Sequence, residues 1–191
     1  NRGEISAPDG QVILAAGSRV FLRADDSADL NLRGLLVEVD SPSGLTGFDT
    51  ANTGVVNGEL DGQVVNLVNA DDDKLGHATN LGTLSAARGN VTMVGYAVNQ
   101  KGLARATSSV VANGSVYLMA RDSSVMPPGL GAQRTSTRAG QVVLGTGSRT
   151  EVLVEEQDPT TTTDAQDNLG NYLPGLAQAS QVRVLGQKIY M

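Results

Sequence analysis

A glycine followed by alternating apolar residues recurs along the chain: GQVIL at Gly10, GQVVNL at Gly62, GNVTM at Gly89, GSVYL at Gly114 and GQVVL at Gly140. Within each unit the apolar residues lie two apart, so Val12 with Leu14, Val91 with Met93, Val116 with Leu118 and Val142 with Leu144 each share one face of a strand. The Gly62 unit carries an extra residue, which makes Val65 and Leu67 its pair and suggests a bulge or a longer turn. From Gly10 onward the gaps between these glycines run 52, 27, 25 and 26. As 52 is twice 26, a further unit is expected between the first two, and Gly34 opens the apolar GLLVEV near the right place. The period predicted is about 26 residues.

A second strand signature precedes several of these units: GEISA from Gly3, GVVNGEL from Gly54, GTLSA from Gly82 and GLARA from Gly102. Two or three short strands in such a unit, with no helical stripe between them, exclude a βαβ crossover and fit one coil of a solenoid. The expected fold class is all-β, a right-handed parallel β-helix with the four pairs above pointing inward. Seven coils are expected, counting one near SQVRVL at Ser180. The competing architecture is an antiparallel sandwich, whose strands recur at less than half this interval and do not repeat one signature at a near-constant longer one.

Composition narrows this picture. In 191 residues, 40% hydrophobic, aromatic side chains make up only 3% while glycine occurs 23 times, so the core must be built from Val, Leu, Ala and Ile. A narrow stacked interior suits such residues. The net charge of −6 argues against a nucleic-acid partner, because phosphate binding requires clustered Lys and Arg. With no cysteine, disulfides and thiolate sites are excluded. No apolar run approaches the roughly 18 residues of a membrane-spanning helix, so membrane insertion is not expected. The chain opens at Asn1 without an initiator Met or a signal peptide, which reads as a soluble piece, residues 1–191, of a larger protein.

Three stretches break the repeat and read as loop excursions: Asp40 to Ala51, Asp122 to Ala139 and Glu155 to Ala179. The second runs through Pro127 and Pro128, and the third is acidic and Thr-rich with Pro159 and Pro174. Loops on a rigid scaffold are where binding is usually placed.

Candidate chemistry is sparse. His77, the only histidine, sits in KLGHATN and reads as a solvated turn residue rather than a base or metal ligand. Ser108 and Ser109 read as turn and ladder residues, with no triad to serve. Asp71, Asp72 and Asp73, even with Asp25 and Asp26, match no calcium-loop spacing and read as solvated acidic turns. The same holds for Glu155, Glu156, Asp158, Asp164 and Asp167. Glycines in GLGAQ, Gly129 to Gln133, lack the lysine of a phosphate loop. Asn57, Asn80, Asn99 and Asn113 fall near predicted strand ends, where asparagine can form hydrogen-bonded ladders between coils. No catalytic residue, cofactor or required metal ion is assigned.

The stretch from Asn80 to Arg121, and GLARATSSVVANGSVYLMAR within it most specifically, resembles the repeat region of the filamentous haemagglutinin family, large exoproteins of the two-partner secretion pathway of Gram-negative bacteria. GEISAPDGQVILAAGSRVFL resembles the end of that family's secretion domain, and GQVVLGTGSRTEVLVEE, TTTTDAQ and SQVRVLGQKIYM resemble segments that follow. The Asn-Pro-Asn motifs that mark the secretion domain do not occur, which places the segment at its end or just downstream. The resemblance implies a secreted or surface-located adhesin, an outer-membrane secretion transporter as partner of the parent protein, and a host or bacterial surface receptor or glycan as target. It also implies, as an alternative, the stalk of a contact-dependent growth inhibition protein. A different class of function is a β-helical carbohydrate-active enzyme, which would need paired carboxylates, or carboxylates with Arg or Lys, on outward positions of adjacent coils.

Overall fold

The computed structural model describes residues 1–8, 10–17, 19–24, 35–40, 55–56, 59–60, 76–108, 114–121, 124–125, 135–136, 140–155 and 180–191. Among these residues every regular element is a strand. In chain order they are β1 (Glu4–Ser6), β2 (Val12–Ala15), β3 (Arg19–Ala24), β4 (Leu35–Asp40), β5 (Val55–Val56), β6 (Glu59–Leu60), β7 (His77–Asn80), β8 (Thr83–Ala86) and β9 (Asn90–Gly95). There follow β10 (Ala97–Gln100), β11 (Leu103–Ser108), β12 (Ser115–Ala120), β13 (Ser124–Val125), β14 (Thr135–Ser136), β15 (Gln141–Leu144), β16 (Arg149–Val154), β17 (Val182–Leu185) and β18 (Lys188–Tyr190).

Twelve of these strands form three parallel sheets, ordered β7-β10-β15-β18, β1-β8-β11-β16 and β2-β9-β12-β17. The chain visits the sheets in turn, laying β7, β8 and β9 and then β10, β11 and β12 directly beside them. Register is strict: Ala78 pairs with Val98, Leu84 with Ala104 and Val91 with Val116. Identical faces therefore stack, and Val12, Leu84, Val91, Met93, Val98, Ala104, Val116, Leu118 and Val142 form one buried cluster without an aromatic ring. All eight residues expected to point inward belong to this core or pack against it, Leu14 and Leu144 being only partly covered.

The repeat length needs correction. Ala78 to Val98 and Thr83 to Leu103 are steps of 20 along the chain, whereas Val91 to Val116 is a step of 25. The bare coil is thus the shorter of the two, and the longer period read from the glycines reflects insertions at the corners. Among the described residues each parallel sheet is four strands deep, where seven coils are expected from the sequence. The GLLVEV at Gly34 is not a coil: Leu35–Asp40 pairs antiparallel with Arg19–Ala24 in a hairpin. Val55–Val56 and Glu59–Leu60 of GVVNGEL likewise pair antiparallel. The GQVVNL unit at Gly62 lies outside the described residues. As a result Val12 stacks directly on Val91, 79 positions along the chain. GQVVL at Gly140 also changes place, because β15 pairs with β10 in a different sheet from GNVTM and GSVYL. Alternation marks a strand with one buried face, but every sheet here buries one face, so the signature cannot say which sheet a strand joins.

Two devices hold the corner between the first two sheets. Asn80 is fully buried, and its Nδ2 donates to Gln100 Oε1 (2.8 Å) and to the Leu103 carbonyl (3.0 Å). Its Oδ1 accepts from Asn1 Nδ2 (3.0 Å) and from the Gly82 amide (3.2 Å). Gln100 Nε2 continues the column to the carbonyls of Gly102 and Arg149. The asparagine ladder expected at Asn80 therefore exists, with Asn1 and Gln100 as its other rungs. Asn99 takes no part in it: its Nδ2 donates to Thr79 Oγ1 at 2.9 Å. Asn57 and Asn113 lie outside the described residues. Because all four hydrogen-bonding positions of Asn80 are used, Asn80→Asp should cost about 3 kcal/mol or more in chemical denaturation, by setting a carboxylate oxygen against the Gln100 and Leu103 oxygens.

The second device is a glycine column, Gly3, Gly82 and Gly102. The Gly3 carbonyl accepts from the Thr83 amide (2.9 Å), and the Gly82 carbonyl accepts from the Leu103 amide (2.8 Å). A Cβ on Gly82 would collide with the Gly3 carbonyl oxygen, and one on Gly102 with that of Gly82. Only glycine lets the coils approach to hydrogen-bonding distance here.

Candidate functional site

Part of the outward face of the third sheet is apolar. Ile13, Ala15, Val94 and Met119 alternate with the core residues and so point away from the core. They are covered by the hairpin, whose Val37 and Val39 pack with Val94 into a second buried cluster. Gln11 fixes the entry of β4 through two bonds to Leu35, donating to its carbonyl (2.9 Å) and accepting from its amide (2.8 Å). At the other end Glu38 Oε2 lies 3.7 Å from Arg121 Nε.

The hairpin does not cover the whole sheet. Beside β4 a groove of about 190 Å³ remains, with Thr92, Tyr117, Met119, Arg183 and Leu185 among its floor residues, and Leu35 to Glu38 as its wall. Register explains the floor: Tyr117 lies between Thr92 and Arg183, and Met119 is paired with Leu185. Arg121 is buried at one end beside Glu38, whereas Arg183 is exposed. Among the described residues no ion pair or hydrogen bond holds the Arg183 guanidinium.

The second sheet presents a different outward face. Arg105 of β11 and Glu151 of β16 are register partners on adjacent coils. Arg105 Nε donates to Glu151 Oε1 (2.8 Å), and Arg149 donates to Glu151 Oε2 (2.7 Å). Thr107 Oγ1 donates to Glu155 Oε2 at 3.0 Å. The hydrogen bond from Arg105, helped by the charges of Arg149 and Arg105, holds the Glu151 carboxyl below its ordinary range in spite of some desolvation. A carboxylate with an arginine on the neighbouring coil, Arg105, and another on its own strand, Arg149, is close to the arrangement a carbohydrate-active enzyme would require. Here both Glu151 oxygens are occupied by the arginines, and a lowered pKa suits a permanent ion pair better than a proton donor.

Since the folded-state pKa of Glu151 is lowered, its ionised form stabilises the fold above the ordinary carboxylate range, and that contribution is lost as pH falls through the lowered value. Thermal unfolding between about pH 3 and pH 6 should therefore show a loss of stability on acidification that is smaller in Glu151→Gln than in the parent chain.

The residues singled out in the sequence do not converge. His77 is not in a turn: it begins β7, is half-buried, and has its Nε2 shielded from solvent. Ser108 ends β11, where its Oγ accepts from Ser180 Oγ at 2.6 Å, a contact between successive coils. Glu155 belongs to the second sheet's outward network. Ser109, Asp25, Asp26, Asp71 to Asp73, Glu156, Asp158, Asp164, Asp167 and Gly129 to Gln133 lie outside the described residues. Among the described residues no three His, Asp or Glu side chains gather as metal ligands. Of the expected excursions, Asp122 to Ala139 contains the antiparallel pair β13–β14, while 41–51 and 156–179 lie outside the described residues. The groove was missed in the sequence. A trace of it was present in Val94 of NVTMVG and Met119 of SVYLMA, apolar residues on the outward rows beside Thr92 and Tyr117.

No protein-family model matches the chain, and neither a curated protein nor a solved structure matches it.

Proposed function

We propose that this chain is a non-enzymatic segment of a secreted, surface-associated bacterial adhesin of filamentous haemagglutinin type, a right-handed parallel β-helix that serves as stalk and presentation scaffold. The observation that carries this reading is the way excursions leave the stack without disturbing it. Residues 16–76 separate β2 from β7, yet β2 stacks in register on β9 and β1 on β8. Such a scaffold displays variable segments from a constant core, which is what an adhesive exoprotein requires. The resemblance of Asn80 to Arg121 to the family's repeats supplies the class, and with it an outer-membrane transporter as the parent's export partner.

The coil itself shows where an excursion can be removed. Between the second and third coils the chain turns from Gly95 to Ala97 through Tyr96 alone. Arg121 occupies the equivalent corner, its amide donating to the Gly95 carbonyl (2.8 Å), and the Gln141 amide donates to the Tyr96 carbonyl (3.1 Å). Removing residues 122–139 leaves Arg121 and Gly140 to make this short turn. The shortened parent protein should still fold and be exported with its transporter, while losing attachment to target cells. Attachment unchanged by this deletion and by deletion of 156–179 would refute the adhesive reading. Cleavage of any polysaccharide by the purified chain would favour the enzyme instead.

A further inference from the structure

We infer that the free edge of β3 receives an extended peptide segment in which apolar and acidic residues alternate. The inference concerns the hairpin alone and does not rest on the adhesin reading. Residues directly opposed in an antiparallel pair share a face, so Val20 with Val39 and Leu22 with Val37 form one apolar surface. Only half of it is covered. Val37 and Val39, packed with Val94, are 3% and 0% exposed, whereas Val20 and Leu22 on β3 remain 44% and 58% exposed.

The bonds made by Gln11 show which way the β3 backbone points. In an antiparallel ladder, pairs that exchange two hydrogen bonds alternate with pairs that exchange none. Leu35 gives both its amide and its carbonyl to the Gln11 side chain, so Leu35 with Ala24 is a pair of the second kind. Steps of two residues make Leu22 with Val37 and Val20 with Val39 pairs of that kind as well. The N–H and C=O groups of Val20 and Leu22 therefore point away from β4, along an edge where no further strand lies among the described residues. On the β4 edge a side-chain amide supplies the missing rung at Leu35, and among the described residues no hydrogen bond does the same for Val20 or Leu22.

This edge sets the chemistry of its occupant. Main-chain donors and acceptors repeating every second residue are satisfied by the backbone of an added strand, and exposed apolar edges are the templates for such additions. Residues of the added strand opposite Val20 and Leu22 are then apolar. The positions between them are selected by charge. The strand RVFLRA carries arginines at 19 and 23 and no carboxylate, and opposed unlike charges favour cross-strand pairing. The same rule counts against a second copy, because two fully overlapping antiparallel β3 strands set Arg19 of one against Arg23 of the other.

The test is titration of the purified chain with the capped peptide Glu-Val-Thr-Val-Glu, read by calorimetry and by amide hydrogen exchange in NMR. Saturable binding is expected, about tenfold tighter than that of Lys-Val-Thr-Val-Lys. Exchange should slow at the Val20 and Leu22 amides and change little at Phe21, whose amide already serves the β4 ladder. N-methylation of both peptide valines should abolish binding, since their amides face β3 in this register, and N-methylation of the threonine should not. Leu22→Lys should weaken binding by about tenfold or more, and Leu22→Pro, which removes an amide the hairpin does not use, should weaken it likewise. Because Leu22 is exposed, Leu22→Lys should melt like the parent chain. Equal binding of the two peptides, or binding indifferent to valine N-methylation or to Leu22→Lys, overturns the inference. Slowed exchange confined to the free edges of β16, β17 and β18 overturns it too. A dimer of the chain alone that Leu22→Lys disperses overturns it in favour of a second copy.

Discussion

Leu118→Asp should abolish cooperative folding of the chain. Leu118 is fully buried in the column Leu14, Met93, Leu118 and Val184, with Met93 and Val184 as its neighbours in register on either side. A carboxylate at this position would be desolvated with apolar side chains all around and no cation within the core cluster. Its penalty, added to the lost leucine packing, exceeds about 5 kcal/mol, comparable with the whole stability of a domain of about 5–15 kcal/mol. Leu118→Ala separates the two parts of that effect, since removing the side chain alone should cost about 2–5 kcal/mol. Circular dichroism with urea titration reads both: a shifted midpoint for alanine and no cooperative transition for aspartate. An unchanged transition in Leu118→Asp would falsify the inward assignment of this strand.

Gly82→Val is expected to be nearly as severe, for a reason that involves backbone rather than side chains. The new Cβ would occupy the space of the Gly3 carbonyl oxygen, which already accepts a hydrogen bond from Thr83. Relief requires the first two coils to separate, breaking the β1–β8 ladder and the Asn1–Asn80 bond in the same corner. A loss of at least about 3 kcal/mol follows from steric overpacking and lost hydrogen bonds together. Gly3→Val is the internal control. Gly3 stands in the same column but at its end, with nothing within 4 Å of a Cβ, so this variant should unfold close to the parent chain. Two similar melting curves would show that coil spacing does not limit this corner.

What the sequence made legible was the face of each strand, and what it concealed was the order in which strands become neighbours. Val91 with Met93 and Val116 with Leu118 declare an inward face through simple alternation, and both pairs are fully buried. GLLVEV shows the same alternation, but its Val37 and Val39 are buried against the outside of the stack, under no coil. A period-2 pattern records that a face is covered without recording what covers it. The corner ladder was half visible for a related reason. Asn80 stood out as an asparagine near a strand end, but its partner Gln100 belonged to a different residue type. The shared feature was the spacing of Asn80-Leu81-Gly82 and Gln100-Lys101-Gly102, one bare coil apart. The groove was hidden because its floor comes from β9, β12 and β17, strands far apart in sequence, and its wall from β4.

The long separation between β2 and β9 also sets an order of assembly. Coils two and three can find each other by closing loops of 20 to 25 residues, with each strand of one lying near its partner in the chain. The first coil must instead close a loop roughly four times as long before any of its hydrogen bonds form. Loop closure is an entropic barrier that precedes the contacts rewarding it, so residues 76–121 are expected to nucleate and β1 and β2 to dock afterwards. A chain entering its folding compartment from the amino end would thus present its first strands long before their template exists. Those strands must wait unpaired until β8 and β9 have followed, and the rate of their docking becomes a property of the excursion between them.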